Sequence, residues 1–290
     1  MKRFEIYLMD LLALILIISS FLLPFIGDSL ENLTININTI LMLINCYLIA
    51  YLGFIISFMD TKKVILMSLP LLIYSIFLVF FMNGFKLNLG MEILDDLAYI
   101  ITNLFGLILL VFMFFLIDLT LNRLLGTRIA GILAILGLIL YLVMQNTEII
   151  PFDFDYKDAL AYFAFFGMGS RIRPANSINK SLFILAFILL AGEIYLNYYF
   201  SYYPSLNFSL FIISYLIFKS SYNVDVINKE RYLVFAYIYP YKLNYILLKS
   251  IVNASPLVIT IIAILATFLI AEFLYKLRVK FIDYGLVGIH

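Results

Sequence analysis

Ten apolar runs follow one another along this chain, at residues 5–27, 37–59, 64–83, 97–119, 129–145, 158–170, 181–200, 203–219, 232–248 and 252–275, with short polar joins between them. Nothing else in the sequence constrains the fold as strongly. About 20 apolar residues make a helix that crosses the hydrocarbon core of a bilayer. Inside that core each backbone N–H and C=O must be bonded within the chain, which a helix achieves by itself. Composition agrees: of 290 residues, 65% are hydrophobic and 13% charged, with a mean hydropathy of +1.08. A soluble domain is nearer half apolar and a quarter charged. The excess runs the whole length, so the expected fold is all-α, a polytopic membrane helical bundle. It has about ten transmembrane helices in a single transmembrane domain over residues 1–290, a multi-pass protein of the cell membrane with the lipid bilayer as its first partner. The first run follows Met1-Lys2-Arg3 but lacks a small-residue cleavage site, so it is expected to be the first span and not a signal peptide.

Basic residues set the orientation. Fifteen of them, among them Lys2, Arg3, Lys62, Lys63, Arg123, Arg128, Arg171, Arg173 and Lys276, fall on one side of this layout. Lys86, Lys157 and Lys249 fall on the other. Cytoplasmic loops carry the excess of Lys and Arg, which places both termini in the cytoplasm. The opposite loops are acidic (Glu92, Asp95, Asp96, Asp153 and Asp155), as solvated loops are, and one carries an Asn32-Leu33-Thr34 glycosylation acceptor pattern.

Several chemistries are excluded. A net charge of +1 gives no reason to expect nucleic acid. Cys46 is the sole cysteine and His290 the sole histidine. No internal Ser–His or Cys–His pair and no His-rich metal site is available, and no bound cofactor or metal is expected. Cys46 reads as a packed thiol.

Two runs are short or interrupted, which in membrane proteins points to an internal site. Residues 158–170 would cover only about 20 Å at 1.5 Å per residue; they are expected to form a short span sheltered by neighbours, with Gly167 and Gly169 permitting close helix approach. The ninth run, 232–248, contains Pro240 followed by Lys242, with Tyr237, Tyr239, Tyr241 and Tyr245 around the break. A proline inside a helix removes a hydrogen bond, so this run is expected to line a cavity. A tyrosine cluster at Tyr195, Tyr198, Tyr199, Tyr202 and Tyr203 suits an interfacial aromatic belt or a sugar-stacking platform.

Ionisable groups within the runs are functional candidates, because burying them in lipid is costly. Asp10, Asp118 and Glu272 lie near cytoplasmic helix ends, within reach of water or the basic inner loops. Glu193 and Lys242 lie deeper, roughly 20 Å and 16 Å from the inner side by helical rise. Either they face one cavity and pair, with Tyr239 and Asn197 nearby, or Lys242 snorkels outward and Glu193 sits at the outer headgroups.

In several stretches the chain resembles the acyltransferase-3 family of integral membrane proteins. The stretches are Lys2-Arg3-Phe4-Glu5-Ile6 through Asp10-Leu11-Leu12, then Tyr51-Leu52-Gly53-Phe54-Ile55, Lys62-Lys63 and Leu69-Pro70-Leu71-Leu72. They continue with Tyr162-Phe163-Ala164-Phe165-Phe166-Gly167-Met168, Tyr237-Ile238-Tyr239-Pro240 and Ala271-Glu272-Phe273-Leu274-Tyr275-Lys276-Leu277. The resemblance implies about ten helices, acyl-CoA as donor substrate, and transfer of an acyl group to an envelope glycan or lipid-linked acceptor. The chain departs from the family where the chemistry sits: Ala13 replaces an arginine of the first helix, no histidine follows it, and Tyr239 stands where the family has histidine. A tyrosine titrates near 10 and is a poor general base at neutral pH. Activation of a hydroxyl then falls to Glu193 or another carboxylate, with Lys242 and Tyr239 beside it, or the protein is catalytically degenerate. A transporter or flippase of a small or lipid-linked substrate, and a non-catalytic subunit of a membrane complex, are the alternatives.

Overall fold

The computed structural model describes residues 11–20, 22–23, 37–58, 73, 106–146, 157–173, 180–200, 207–220 and 240–287. Among the described residues the chain is all-α, without a strand. The helices are α1 (Leu11–Ser20), α2 (Ile37–Ile56), α3 (Gly106–Leu125), α4 (Thr127–Asn146), α5 (Lys157–Arg171), α6 (Lys180–Phe200), α7 (Asn207–Ser220), α8 (Pro240–Ile251) and α9 (Pro256–Val287). Nine of the ten apolar runs contain one of these helices; the third, 64–83, lies outside the described residues except at position 73. One stretch, Pro256–Leu277 of α9, is long and apolar enough on its own to cross a membrane, and five other described stretches are apolar but shorter.

Boundaries differ from expectation at two joins. The loop expected at 120–128 is a single residue, Gly126, between α3 and α4. Its φ of 81° is the left-handed conformation that closes a helix, and its N–H donates to the Asn122 carbonyl at 3.2 Å. The described part of α8 starts at Pro240, and the stretch upstream of the expected break, residues 232–239 with Tyr237 and Tyr239 among them, lies outside the described residues. The last helix begins at Pro256 and runs on to Val287, well past 275. The Ser255 carbonyl accepts its first bond, from Ile259 at 3.1 Å.

Two compact units divide the chain, residues 1–16, 26–58 and 111–225 in one and 17–25, 59–110 and 226–290 in the other. In the first, the short helix α5 is the hub, packed on α2, α4 and α7. Its shelter is as expected, and glycine makes the contact possible. A methyl group at Gly169 would run into the Ala50 carbonyl oxygen of α2, and one at Gly53 would lie 2.5 Å from the Phe166 carbonyl oxygen of α5. On the opposite side, a methyl at Gly167 would meet the Ala134 Cβ of α4 at 2.9 Å. Aromatic rings fill the wider gaps. Phe218 of α7 stacks on Phe54 of α2 at 5.3 Å and also meets Tyr47; Phe211 meets Phe165 edge-on; Phe114 of α3 meets Phe163 and Phe166. Cys46 is fully buried in this packing.

On α4, α6 and α9 many exposed positions are large and aliphatic, and small residues share the buried face with Leu138, Tyr141, Ile259 and Leu274. On α4 the buried positions include Ala130 and Ala134, whereas Ile129, Ile132, Ile135, Leu136, Ile139 and Leu140 are exposed. On α6, Ala186 is buried and Leu185, Phe187 and Ile188 are exposed. In the second unit, α9 packs on α8 while burying Thr260, Ala263, Thr267 and Ala271 and exposing Ile261, Leu265, Leu269 and Phe273. A buried hydrogen bond from the Asn244 amide to the Thr267 hydroxyl, 2.9 Å, joins α8 to α9; Thr267 in turn donates to the Ala263 carbonyl.

Candidate functional site

Asp118 sits about two turns before the end of α3, and Asn122 follows at the i,i+4 spacing that puts both side chains on one face. The end of α5 brings Ser170 and Arg171 to them. Arg171 pairs with Asp118 at 2.5 Å, and the two side chains are 18% and 8% exposed. The carboxylate also accepts from the Asn122 amide at 3.1 Å and the Ser170 hydroxyl at 2.9 Å. The guanidinium donates further to the Asn122 side-chain oxygen at 2.9 Å, the Gly167 carbonyl at 2.8 Å and the Thr127 carbonyl at 3.2 Å. A charge pair taken from water is sustained only when its remaining donors and acceptors are satisfied, and here they largely are. This network ties the end of α5 to the α3–α4 turn.

Glycine also clears the path for that arginine. A methyl at Gly131 of α4 would come within 3.3 Å of the Arg171 Cδ, and one at Gly167 within 3.1 Å of its Nη1. Beside it lies a half-open groove of about 540 Å³ between α4, α5 and α7. Its floor is Ala164, Gly167, Met168 and Ile172; its walls include Ile132, Ile135 and Phe211; its polar groups are Thr127, Arg128, Arg171 and Tyr215. Arg128 is exposed and makes no ion pair among the described residues. At the rim the Lys219 ammonium donates to the Tyr215 hydroxyl at 3.0 Å. Arg173 reaches from α5 to the Ser57 hydroxyl and lies over the Phe58 ring, 5.1 Å from its centre.

Glu193 of α6 meets the start of α7. Its carboxylate accepts from the Ser209 hydroxyl at 2.6 Å and from the Ser209 backbone N–H at 3.3 Å. Ser209 is in the first turn of α7, where backbone N–H groups lack helical partners and the helix dipole favours a negative charge. So the deepest acid singled out from the sequence holds a helix terminus. Its expected partner Lys242 is on α8, with a side chain outside the described residues, as is that of Asn197. Asp10 lies outside them too. Glu272 is half exposed on α9 and pairs with Lys276 at 3.9 Å, one turn on. Tyr195 is exposed on α6; the side chains of Tyr198, Tyr199, Tyr202 and Tyr203 lie outside the described residues.

Among the described residues no group of His, Cys, Asp and Glu is placed to hold a metal ion. Sequence reasoning named Asp118 but not its partners: Arg171 is 53 positions away, and only the Asp118–Asn122 spacing signalled a local pair. The groove was missed, although Ala130, Gly131, Ala134 and Gly137 form a stripe of small residues on α4 that marks a packing face. No protein-family model, curated protein or solved structure matches this chain.

Proposed function

We propose that this chain is a polytopic membrane protein of about ten spans that acts as an acyltransferase-like protein on envelope glycan or lipid, with acyl-CoA as donor. One observation carries the membrane reading. The outward faces of α4, α6 and α9 are aliphatic, while alanine and threonine take many of their buried positions, beside Leu138 and Tyr141 on α4 and Ile259 and Leu274 on α9. In water a helix buries its large apolar residues and exposes its polar ones. Lipid removes that driving force, and small residues move to the contacts because they let backbones approach. Contiguous apolar faces of this extent mark contact with membrane or another protein, and the small residues at the helix contacts favour lipid. The charge bias of the loops supports the same orientation in unit one, where Arg128, Arg171 and Tyr215 with its Lys219 border one groove.

The acyl-transfer reading is supported by the ordered family-like stretches. The acceptor hydroxyl would form the new ester as the thioester C–S bond breaks, its proton leaving with the thiol. In a chain without an internal histidine, Glu193 is the candidate base, with Lys242 and Tyr239 as further candidates. A non-catalytic role in a membrane complex has its own support, since Asp118 and Glu193 are each engaged by structural partners.

Mass analysis of envelope glycans and lipids from cells lacking the protein tests the proposal. The expected result is loss of an acyl mass that the wild type restores and Glu193→Gln does not. Because Gln still accepts from Ser209, this variant should fold, its melting temperature close to wild type. Unchanged masses with co-purification of a larger enzyme would point to the subunit role; solute flux in proteoliposomes without donor would point to transport.

A further inference from the structure

We propose that the groove between α4, α5 and α7 is a binding site for one anionic phospholipid, its phosphodiester at Arg128 and Thr127 and an acyl chain laid along Ile132, Ile135, Met168 and Phe211. The inference rests on the membrane reading above but not on acyl transfer. Its first support is charge. Asp118 neutralises Arg171, which leaves Arg128 as the uncommitted cation of the lining, with Lys219 at the rim through Tyr215. A basic pocket between membrane helices on the cytoplasmic side is a recognised place for an anionic headgroup. Arg128 belongs to the side that the loop charges assign to the cytoplasm.

Shape supplies the second support. The groove, about 540 Å³, is within the usual size of small-molecule sites. Apart from its few polar groups the lining is aliphatic or aromatic, which suits a fatty chain and offers little to a nucleotide. Ile132 and Ile135 belong both to the groove wall and to the exposed aliphatic face of α4. A lipid can therefore enter sideways from the bilayer without its chain meeting water. At the basic end of the groove Gly131 and Gly167 leave room for Arg171 to turn away toward Asp118.

The chain has no tryptophan, so an introduced one reports alone. Phe211→Trp places the probe in the groove; Leu269→Trp places it on the outward face of α9. Each is reconstituted in phosphatidylcholine vesicles with a small, equal fraction of brominated phosphatidylglycerol or brominated phosphatidylcholine. At Phe211→Trp, brominated phosphatidylglycerol should associate on the order of fivefold more strongly, the effect of one basic residue beside an anionic lipid. Adding Arg128→Gln should bring the ratio to about one, and Leu269→Trp should show about one throughout. A ratio of one at Phe211→Trp, or one that survives Arg128→Gln, overturns the site. Relief of quenching by palmitoyl-CoA or inorganic phosphate at lower concentration than by phosphatidylglycerol also overturns it, reassigning the groove to that ligand. If no brominated lipid quenches Leu269→Trp, the membrane reading itself has failed, a result distinct from loss of the headgroup preference.

Discussion

Asp118 and Arg171 show why a charge inside an apolar segment needs its partners named before it is given a role. Read along the chain, Asp118 is an acid near a helix end and Arg171 a basic residue near another. Folding puts them 2.5 Å apart with Asn122 and Ser170 around them. Removing one member strands the other, which for a buried pair costs about 3–5 kcal/mol. Asp118→Ala and Arg171→Ala are each expected to lose that much in a denaturation titration in detergent. The double variant Asp118→Leu/Arg171→Met should lose less than the two singles together, since neither charge is left alone. Single losses below about 1 kcal/mol, the range of an exposed pair, would show that the network does not hold the end of α5. Nothing local in the sequence could have paired these two residues, because their meeting depends on how α3 and α5 pack. The same holds for Glu193, whose acceptance of the Ser209 hydroxyl at the start of α7 no local pattern announces.

At the scale of elements, apolar length placed nine helices where the described residues have them, and the small residues inside them decided which faces meet. Uniformly apolar helices give no periodic stripe, so the orientation of α4 or α9 could not be read from hydrophobicity. It could be read from alanine and glycine, and only Gly167 and Gly169 were used that way. Both lie at a helix contact, Gly169 the tighter of the two. Helix ends were less legible. Gly126 closes α3 with a positive φ that apolar length does not reveal, and α9 runs on to Val287, past the end of its apolar run. The glycine contacts give a graded prediction. Gly169→Ala drives a methyl into the Ala50 carbonyl and Gly53→Ala drives one into Phe166. Backbone cannot swing aside as a side chain can, so each should cost about 1–3 kcal/mol or more. Gly192 on α6 has nothing within 4 Å of an added methyl. There alanine should stabilise by up to about 1 kcal/mol through helix propensity. Thermal unfolding of the three variants in one detergent checks the order; equal effects at Gly169 and Gly192 would contradict the close contact of α2 and α5.

For the whole molecule, the membrane reading turns on which helix ends share a side, and the first unit fixes this for α3, α4 and α5. The Arg171 bond to the Thr127 carbonyl ties the end of α5 to the α3–α4 turn. Arg123 is therefore at one end of α5 and Lys157 at the other, separated by a helix of 15 residues or about 22 Å. That is short of a hydrocarbon core roughly 30 Å thick, so a spanning α5 requires local thinning or shelter by its neighbours, and α2, α4 and α7 provide the shelter. Replacing the buried Cys46 by alanine gives a background free of thiols, into which single cysteines can be placed at Arg123, Lys157, Lys249 and Lys276. A membrane-impermeant maleimide applied to intact cells should label the variants at Lys157 and Lys249. The variants at Arg123 and Lys276 should react only after the membrane is opened. Labelling of Arg123 and Lys157 variants from the same side would mean that α5 re-enters, which would invert the loops that follow it and remove the charge bias. Recovery of all four variants in a soluble fraction without detergent would remove the bilayer from the account altogether. The aliphatic faces of α4, α6 and α9 would then have to be covered by protein.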